Sequence, residues 1–151
     1  MRALIQRVNR ASVEIEGEVK SSIGRGLLIL LGVEEEDNEQ DIPWLTGKIS
    51  KLRIFEDEAG RMDLSIKDVA GDVMVISQFT LHAKTKKGTR PSYSRAAGPD
   101  RASELYESFA RQMGQEVGTT AQTGEFGAYM KIALENDGPV TLMIDSRNKD
   151  L

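Results

Sequence analysis

Residues 26 to 33 read GLLILLGV, apolar at nearly every position and bracketed by glycines. A half-buried strand alternates apolar and polar residues, and a surface helix keeps a polar face. This run does neither, so it predicts a central strand covered on both sides. Working outward toward the N-terminus, residues 2 to 8 and 12 to 16 read as extended segments, and Glu16-Gly17 turns the chain toward a partner strand around Val19 to Ile23. In the other direction an acidic loop, EEEDNEQD at 34 to 41, leads into Ile42, Leu45, Ile49 and Leu52, which recur at steps of 3, 4 and 3 residues. That spacing is one stripe of a helix, with Asn38 or Asp41 as its cap and Pro43 tolerable only in its first turn.

The remaining segments extend the same pattern. RIF and MDLSI flank EDEAG, a hairpin signature with Gly60 at its turn. A second helix is predicted from Pro99-Asp100 through Leu105, Tyr106, Phe109, Ala110 and Met113 to a stop at Gly114. YMKIAL and VTLMI, separated by ENDGP, read as a closing hairpin. The chain is thus mostly β with two helices, a single domain over residues 1–151 and long enough to bury a core without staples.

Composition removes several classes of chemistry. There is no cysteine, so disulfides, thiolate metal sites and thiol nucleophiles are excluded, and the one histidine rules out a metal site with two imidazoles. The longest apolar stretch, LLILL, is too short to cross a bilayer, and MRALIQRV lacks a secretory cleavage pattern, so a cytoplasmic protein is expected, without membrane or cofactor. The net charge of −4 argues against non-specific binding to nucleic acid, DNA included. That average hides an asymmetry, since Lys84, Lys86, Lys87, Arg90, Arg95 and Arg101 fall within eighteen residues against the single acid Asp100. The carboxylates at 34 to 37 lack the spacing of a calcium loop and read as solvated. Gly24-Arg25-Gly26 precedes a strand where a dinucleotide fingerprint must follow one, and KKGTRPS lacks the spacing of a phosphate-wrapping loop.

VMVISQFTL, residues 73 to 81, poses a sharper question, because a core strand ends on serine, glutamine and threonine. A buried polar group without a partner costs about 1–3 kcal/mol, so these side chains are either tied to neighbouring backbone or line a pocket mouth. Strand alternation puts Val73, Val75, Ser77, Phe79 and Leu81 on one face, and Met74, Ile76, Gln78 and Thr80 on the other. His82 would then follow Thr80 on its face, either facing solvent or forming a Thr–His pair that no third group orients.

SQFTL at 77 to 81 and NDGPVT at 136 to 141 together resemble the paired signatures of the D-aminoacyl-tRNA deacylases. The resemblance extends to IQRV at 5 to 8, GTRPSYS at 88 to 94 and TGEFGAYMKIAL at 123 to 134, in the same order, so it spans essentially the whole chain. It implies an α+β fold, with β-barrel-like antiparallel and mixed sheets and two main helices packed outside. It implies a homodimer without cofactor that hydrolyses the ester between a D-amino acid and the terminal adenosine of tRNA. Removal of glycine mischarged on tRNA(Ala) is implied as well. Carried over residue by residue, Ser77, Gln78, Phe79 and Thr80 line the pocket, with Gln78, Phe79 and Thr80 nearest the chemistry. A cis Gly138-Pro139 turn reaches in from the other subunit to exclude L-amino acids, and Arg7 holds that turn.

On physical grounds, ester hydrolysis needs a donor for the developing oxyanion, and backbone amides around Phe79 and Thr80 are candidates. Water is the expected nucleophile, assisted by the ribose 2′-hydroxyl, with Thr80 the alternative. Lys84, Lys86, Lys87 and Arg90 are candidate contacts to tRNA phosphates. Two rival readings are a non-catalytic RNA-binding β module and a general esterase using Thr80.

Overall fold

The structure, a computed structural model, describes residues 1–151. β1 (Arg2–Ile15) is one strand where the sequence predicts two extended segments, because both of its edges are paired. Along one edge its first half meets β3 (Gly26–Gly32) and its second half meets β2 (Glu18–Ile23), while β8 (Lys131–Asp145) follows the other edge. The turn between β1 and β2 lies at Glu16 and Gly17, as predicted, and the structure puts both at positive φ. β3 is sandwiched between antiparallel β1 and parallel β6 (Asp72–Ser77), and β6 pairs with β7 (Gln122–Thr123).

GLLILLG is buried almost throughout because both faces of the sheet are covered. Leu27, Ile29 and Leu31 join Val73, Val75, Ile42, Leu45 and Phe109 in the main core, under α1 (Asp41–Lys51) and α2 (Pro99–Val117). Leu28, Met74 and Ile76 meet Val8, Val13 and Ile23 on the opposite face. There the mixed sheet curls into a nearly closed barrel, and the Ser21 hydroxyl on β2 donates to the Thr123 carbonyl on β7 at 2.7 Å. Burying a side chain such as Phe109 or Leu105 contributes about 1.5–3 kcal/mol, so α2 is held by its apolar stripe more than by helix propensity. β4 (Phe55–Glu56) and β5 (Met62–Leu64) form the small hairpin expected around Gly60.

Four expectations are corrected. Neither Asn38 nor Asp41 caps α1: Gln40 holds the cap position without a side-chain bond, while the Asn38 and Asp41 side chains accept from loop amides. α2 runs through Gly114 and ends at Gly118, whose left-handed backbone lets its N–H reach the Gly114 carbonyl. The acidic loop is only partly solvated, since Glu35 and Glu36 are exposed but Glu34 and Asp37 are buried. YMKIAL and VTLMI do not form a hairpin: from Lys131 onward they belong to one strand, β8. Thr141 pairs with Gln6 and Asn136 with Val8, so five steps of β8 oppose two of β1 and the residues between bulge outward.

Candidate active site

The strand alternation predicted for residues 73 to 81 holds through Ser77 and then breaks. β3 and β6 run out together, with the Gln78 amide donating to the Leu31 carbonyl at 2.8 Å. Residues Phe79–His82 then wind into a single 3₁₀ turn. Gly32 makes room for it: a Cβ there would stand 3.0 Å from the Gln78 carbonyl oxygen, the Leu81 Cβ and the His82 ring. Because of the turn, Gln78 and Thr80 meet by bending and not by strand alternation, and the Gln78 amide nitrogen donates to the Thr80 hydroxyl.

Ser77, Gln78 and Phe79 form one wall of a cavity of about 620 Å³, within the range of small-molecule sites. The opposite wall is Phe126 to Met130, with Ile132 at the start of β8, and Ala96, Ala97 and Pro99 close the side toward α2. Phe79 packs edge-on against Tyr93, with ring centroids 5.0 Å apart. A larger groove of about 810 Å³ runs along α2 and the loop to β7, but it contains none of residues 77 to 80. Tyr106, buried at the edge of that groove, donates from its hydroxyl to the Val75 carbonyl at 2.8 Å. Burial pushes that phenol up to about 12, despite hydrogen bonding that involves Thr123 and Gly124.

His82 is neither solvent-facing nor paired with Thr80. Its ring is buried, and neither nitrogen has a hydrogen-bond partner. Its Nδ1 lies 3.9 Å from Glu34, which also faces Arg95 at 3.2 Å. The 3₁₀ turn rotates position 82 into the core, so the proposed dyad does not form. Asp37, deeper in the same acidic loop, takes the Met1 ammonium at 2.6 Å, and its backbone carbonyl accepts from Arg101. Arg95 and Arg101 are therefore anchored to the acidic segment, whereas Lys84, Lys86, Lys87 and Arg90 stand exposed. Lys84 Nζ donates to the Ser94 hydroxyl at 3.0 Å, which ties the ends of this basic loop together.

Gly138 and Pro139 crown the outward bulge of β8, exposed, with the peptide between them cis. They do not line the cavity of their own chain. Arg7 lies buried beneath them, where its Nη1 donates to the Ile54 carbonyl at 2.6 Å and its Nε faces Asp137 at 3.0 Å. Asn136 fastens the base of the bulge by donating to the carbonyls of Arg7 and Val140, each at 3.0 Å. Gly138 has φ of 120°, a region that favours glycine, and a Cβ there would come within 3.1 Å of the Arg7 guanidinium.

The structure brings Ser77, Gln78 and Phe79 together at the cavity, with Thr80 bonded beside them. It sets Arg7 and Gly138-Pro139 apart from that cavity, on the bulge. The sequence reading assigned no role to Tyr93, Phe126, Tyr129 or Met130, which also line the cavity. They lie within two of the segments that carry the resemblance, but no polar group or spacing marks them out. No group of three or more His, Cys, Asp or Glu side chains is placed to hold a metal ion.

A family profile described as D-Tyr-tRNA(Tyr) deacylase matches residues 4–145. The chain is 55% identical over 150 residues to a D-aminoacyl-tRNA deacylase of Parabacteroides distasonis, covering 99% of this chain and 100% of that protein. It is 51% identical over 147 residues to one from Thermosipho melanesiensis, covering 97% and 98%. Among solved structures, one described as c-Myc DNA unwinding element binding protein superposes with a TM-score of 0.90 at 39% identity, covering 96% of this chain and 98% of that one. A probable eukaryotic D-amino acid tRNA deacylase shares the fold at a TM-score of 0.84 and 16% identity, covering 95% and 97%. With the match running from β1 to the end of β8 and the SQFTL turn walling the apolar cavity, the chain belongs to the D-Tyr-tRNA(Tyr) deacylase family, hydrolases acting on ester bonds.

Proposed function

We propose that this protein is a homodimer that hydrolyses the ester between a D-amino acid and the terminal adenosine of tRNA and spares L-aminoacyl-tRNA. One observation carries the reading: in a chain related end to end to D-aminoacyl-tRNA deacylases, the SQFTL turn walls a cavity sized for one aminoacyl nucleoside. The amides of Phe79 and Thr80 open the 3₁₀ turn, so neither has a carbonyl partner within it. Aimed at the ester carbonyl, such a donor stabilises the developing oxyanion by about 3 kcal/mol.

Water is the nucleophile, assisted by the ribose 2′-hydroxyl. The geometry around Thr80 favours this over a covalent route: its hydroxyl accepts from Gln78, and the only histidine is turned away into the core. Chirality is read by the Gly138-Pro139 turn of a partner subunit, whose backbone oxygens stand where an L side chain would project. The exposed bulge, buttressed by Arg7, Asp137 and Asn136, supports that role. Because this wall is backbone, it senses the direction of a side chain and not its identity. Many D-amino acids are therefore substrates, and so is glycine mischarged on tRNA(Ala), which has no side chain to be rejected. Exposed Lys84, Lys86, Lys87 and Arg90 hold tRNA phosphates without reading sequence. No helix is long and apolar enough to cross a membrane, and charged tRNA as substrate puts the activity in the cytoplasm.

The test is deacylation of D- and L-tyrosyl-tRNA side by side by the purified protein. Cleavage of D with L intact is expected; cleavage of both, or protection of the ester as by a mere binder, overturns the reading. Thr80→Ala is expected to keep measurable activity, and an acyl-threonine trapped on the wild type would refute direct attack by water.

A further inference from the structure

The cavity beside Gln78 accommodates about one nucleoside with its amino acid, so the nucleotides that precede it must leave over the rim. Three aromatic rings stand at that rim. Phe79 is 52% exposed and Tyr93 40%, and these two lean on each other edge to face. Tyr129, on the opposite wall, is 84% exposed and has no ring partner in the chain. An isolated tyrosine so far out of the surface contributes little to the core, since the stability from a buried ring requires burial. Beyond Tyr93 lies the basic loop, held at its neck by the Lys84–Ser94 and Lys84–Ser92 bonds, with Lys86, Lys87 and Arg90 free. Rings at the mouth of a cleft beside a cationic strip are the two parts of a single-strand nucleic-acid site, where bases stack and phosphates are neutralised.

We propose that Tyr129 is a stacking platform for the unpaired bases immediately before the terminal adenosine of tRNA, with the 84–90 loop holding their phosphates. This rests on the deacylase reading and extends it from the cavity to the strand outside. The site takes single-stranded RNA of any sequence, because every base presents a π-face. Tyr129 therefore acts in substrate binding and not on the ester.

The experiment compares wild type, Tyr129→Ala and Tyr129→Phe on two substrates. One is D-tyrosyl-tRNA, and the other is the D-tyrosyl ester of adenosine, which lacks every preceding nucleotide. Tyr129→Ala is expected to raise KM for the tRNA about tenfold, in line with alanine substitution of a stacking ring, with kcat unchanged. Tyr129→Phe keeps the wild-type KM, and Tyr129→Ala loses far less on the adenosine ester, which has no preceding base to stack, than on the tRNA. Equal loss on both substrates, or no loss on tRNA, overturns the platform. So does a change in sedimentation coefficient without a change in KM, which would mean that a second copy of the chain covers the ring. If wild type cleaves neither substrate, the deacylase reading fails by itself. Binding of an uncharged CCA-ended RNA hairpin with pyrrolocytosine before its terminal adenosine then still reports on stacking. Quenching that survives Tyr129→Phe and vanishes in Tyr129→Ala supports the platform, and quenching indifferent to position 129 overturns it.

Discussion

Gly32→Ala probes the link between the central strand and the chemistry. The added methyl would lie 3.0 Å from the Gln78 carbonyl oxygen, the Leu81 Cβ and the His82 ring. Two of those groups belong to the 3₁₀ turn and the third is the residue that enters it, while Gly32 itself is fixed by pairing with Arg2 in β1. Comfortable carbon contacts lie near 3.5–4.0 Å, so the turn has to retreat by about 0.5 Å. Overpacking of this kind costs about 1–3 kcal/mol. For a domain of this size that lowers Tm by about 3–10 °C in a thermal unfolding scan. Deacylation of D-tyrosyl-tRNA falls further than stability does. The amides of Phe79 and Thr80 move with the turn, and a misplacement of 1 Å costs on the order of 100-fold, so about tenfold is expected for half of that. Measured well below Tm, a variant that loses stability but keeps wild-type kcat would refute the idea that turn position sets the rate. An unchanged Tm would refute the packing argument itself.

Arg7→Met keeps the stem but loses the bond to the Ile54 carbonyl and the Asp137 contact. Unfolding in urea should show a loss of about 1.5–3 kcal/mol, and hydrolysis of L-tyrosyl-tRNA should rise relative to D as the bulge loosens. Asp37→Asn leaves the fully buried Met1 ammonium without its counter-charge and is expected to cost about 3–5 kcal/mol in the same assay. Burial pushes the Asp145 carboxyl up, but the Arg2 ion pair, the Arg147 and Asn148 amides and the Met1 ammonium outweigh it, so it titrates below its ordinary 3.8. Its contribution is therefore present above pH 3.8 and lost as pH falls through the lower folded value, and Asp145→Asn should flatten the acid limb of stability against pH. Tyr106 runs the other way: with its phenol raised from 10.0 to about 12, the unfolded chain loses the proton first. Stability should decline between those values, and Tyr106→Phe should abolish that decline while costing about 1 kcal/mol at neutral pH for the lost bond to the Val75 carbonyl.

Local pattern was enough to find the central strand, the Glu16-Gly17 turn, the Gly60 hairpin and the apolar stripes of α1 and α2. Each is dictated by residues within a few positions of one another, through side-chain periodicity or turn preference. SQFTL also stood out, because polar residues closing an apolar strand break the local rule, whereas NDGPVT read locally as an ordinary hairpin turn and was marked only by its resemblance to the deacylases. What those segments become was settled by distant partners. β8 passes through Asn136 to Pro139 as a bulged strand and not a hairpin because β1 offers it fourteen residues of continuous edge. His82 enters the core because Gly32, fifty residues earlier, leaves space for a tight turn. Glu34 and Asp37, indistinguishable in sequence from their solvated neighbours, are buried because Arg95 and the Met1 ammonium arrive to neutralise them. The aromatic rim of the cavity is assembled from three separate stretches of chain. Periodicity is a property of neighbours, whereas charge pairing, close approach and pocket walls depend on which remote segments the fold brings into contact.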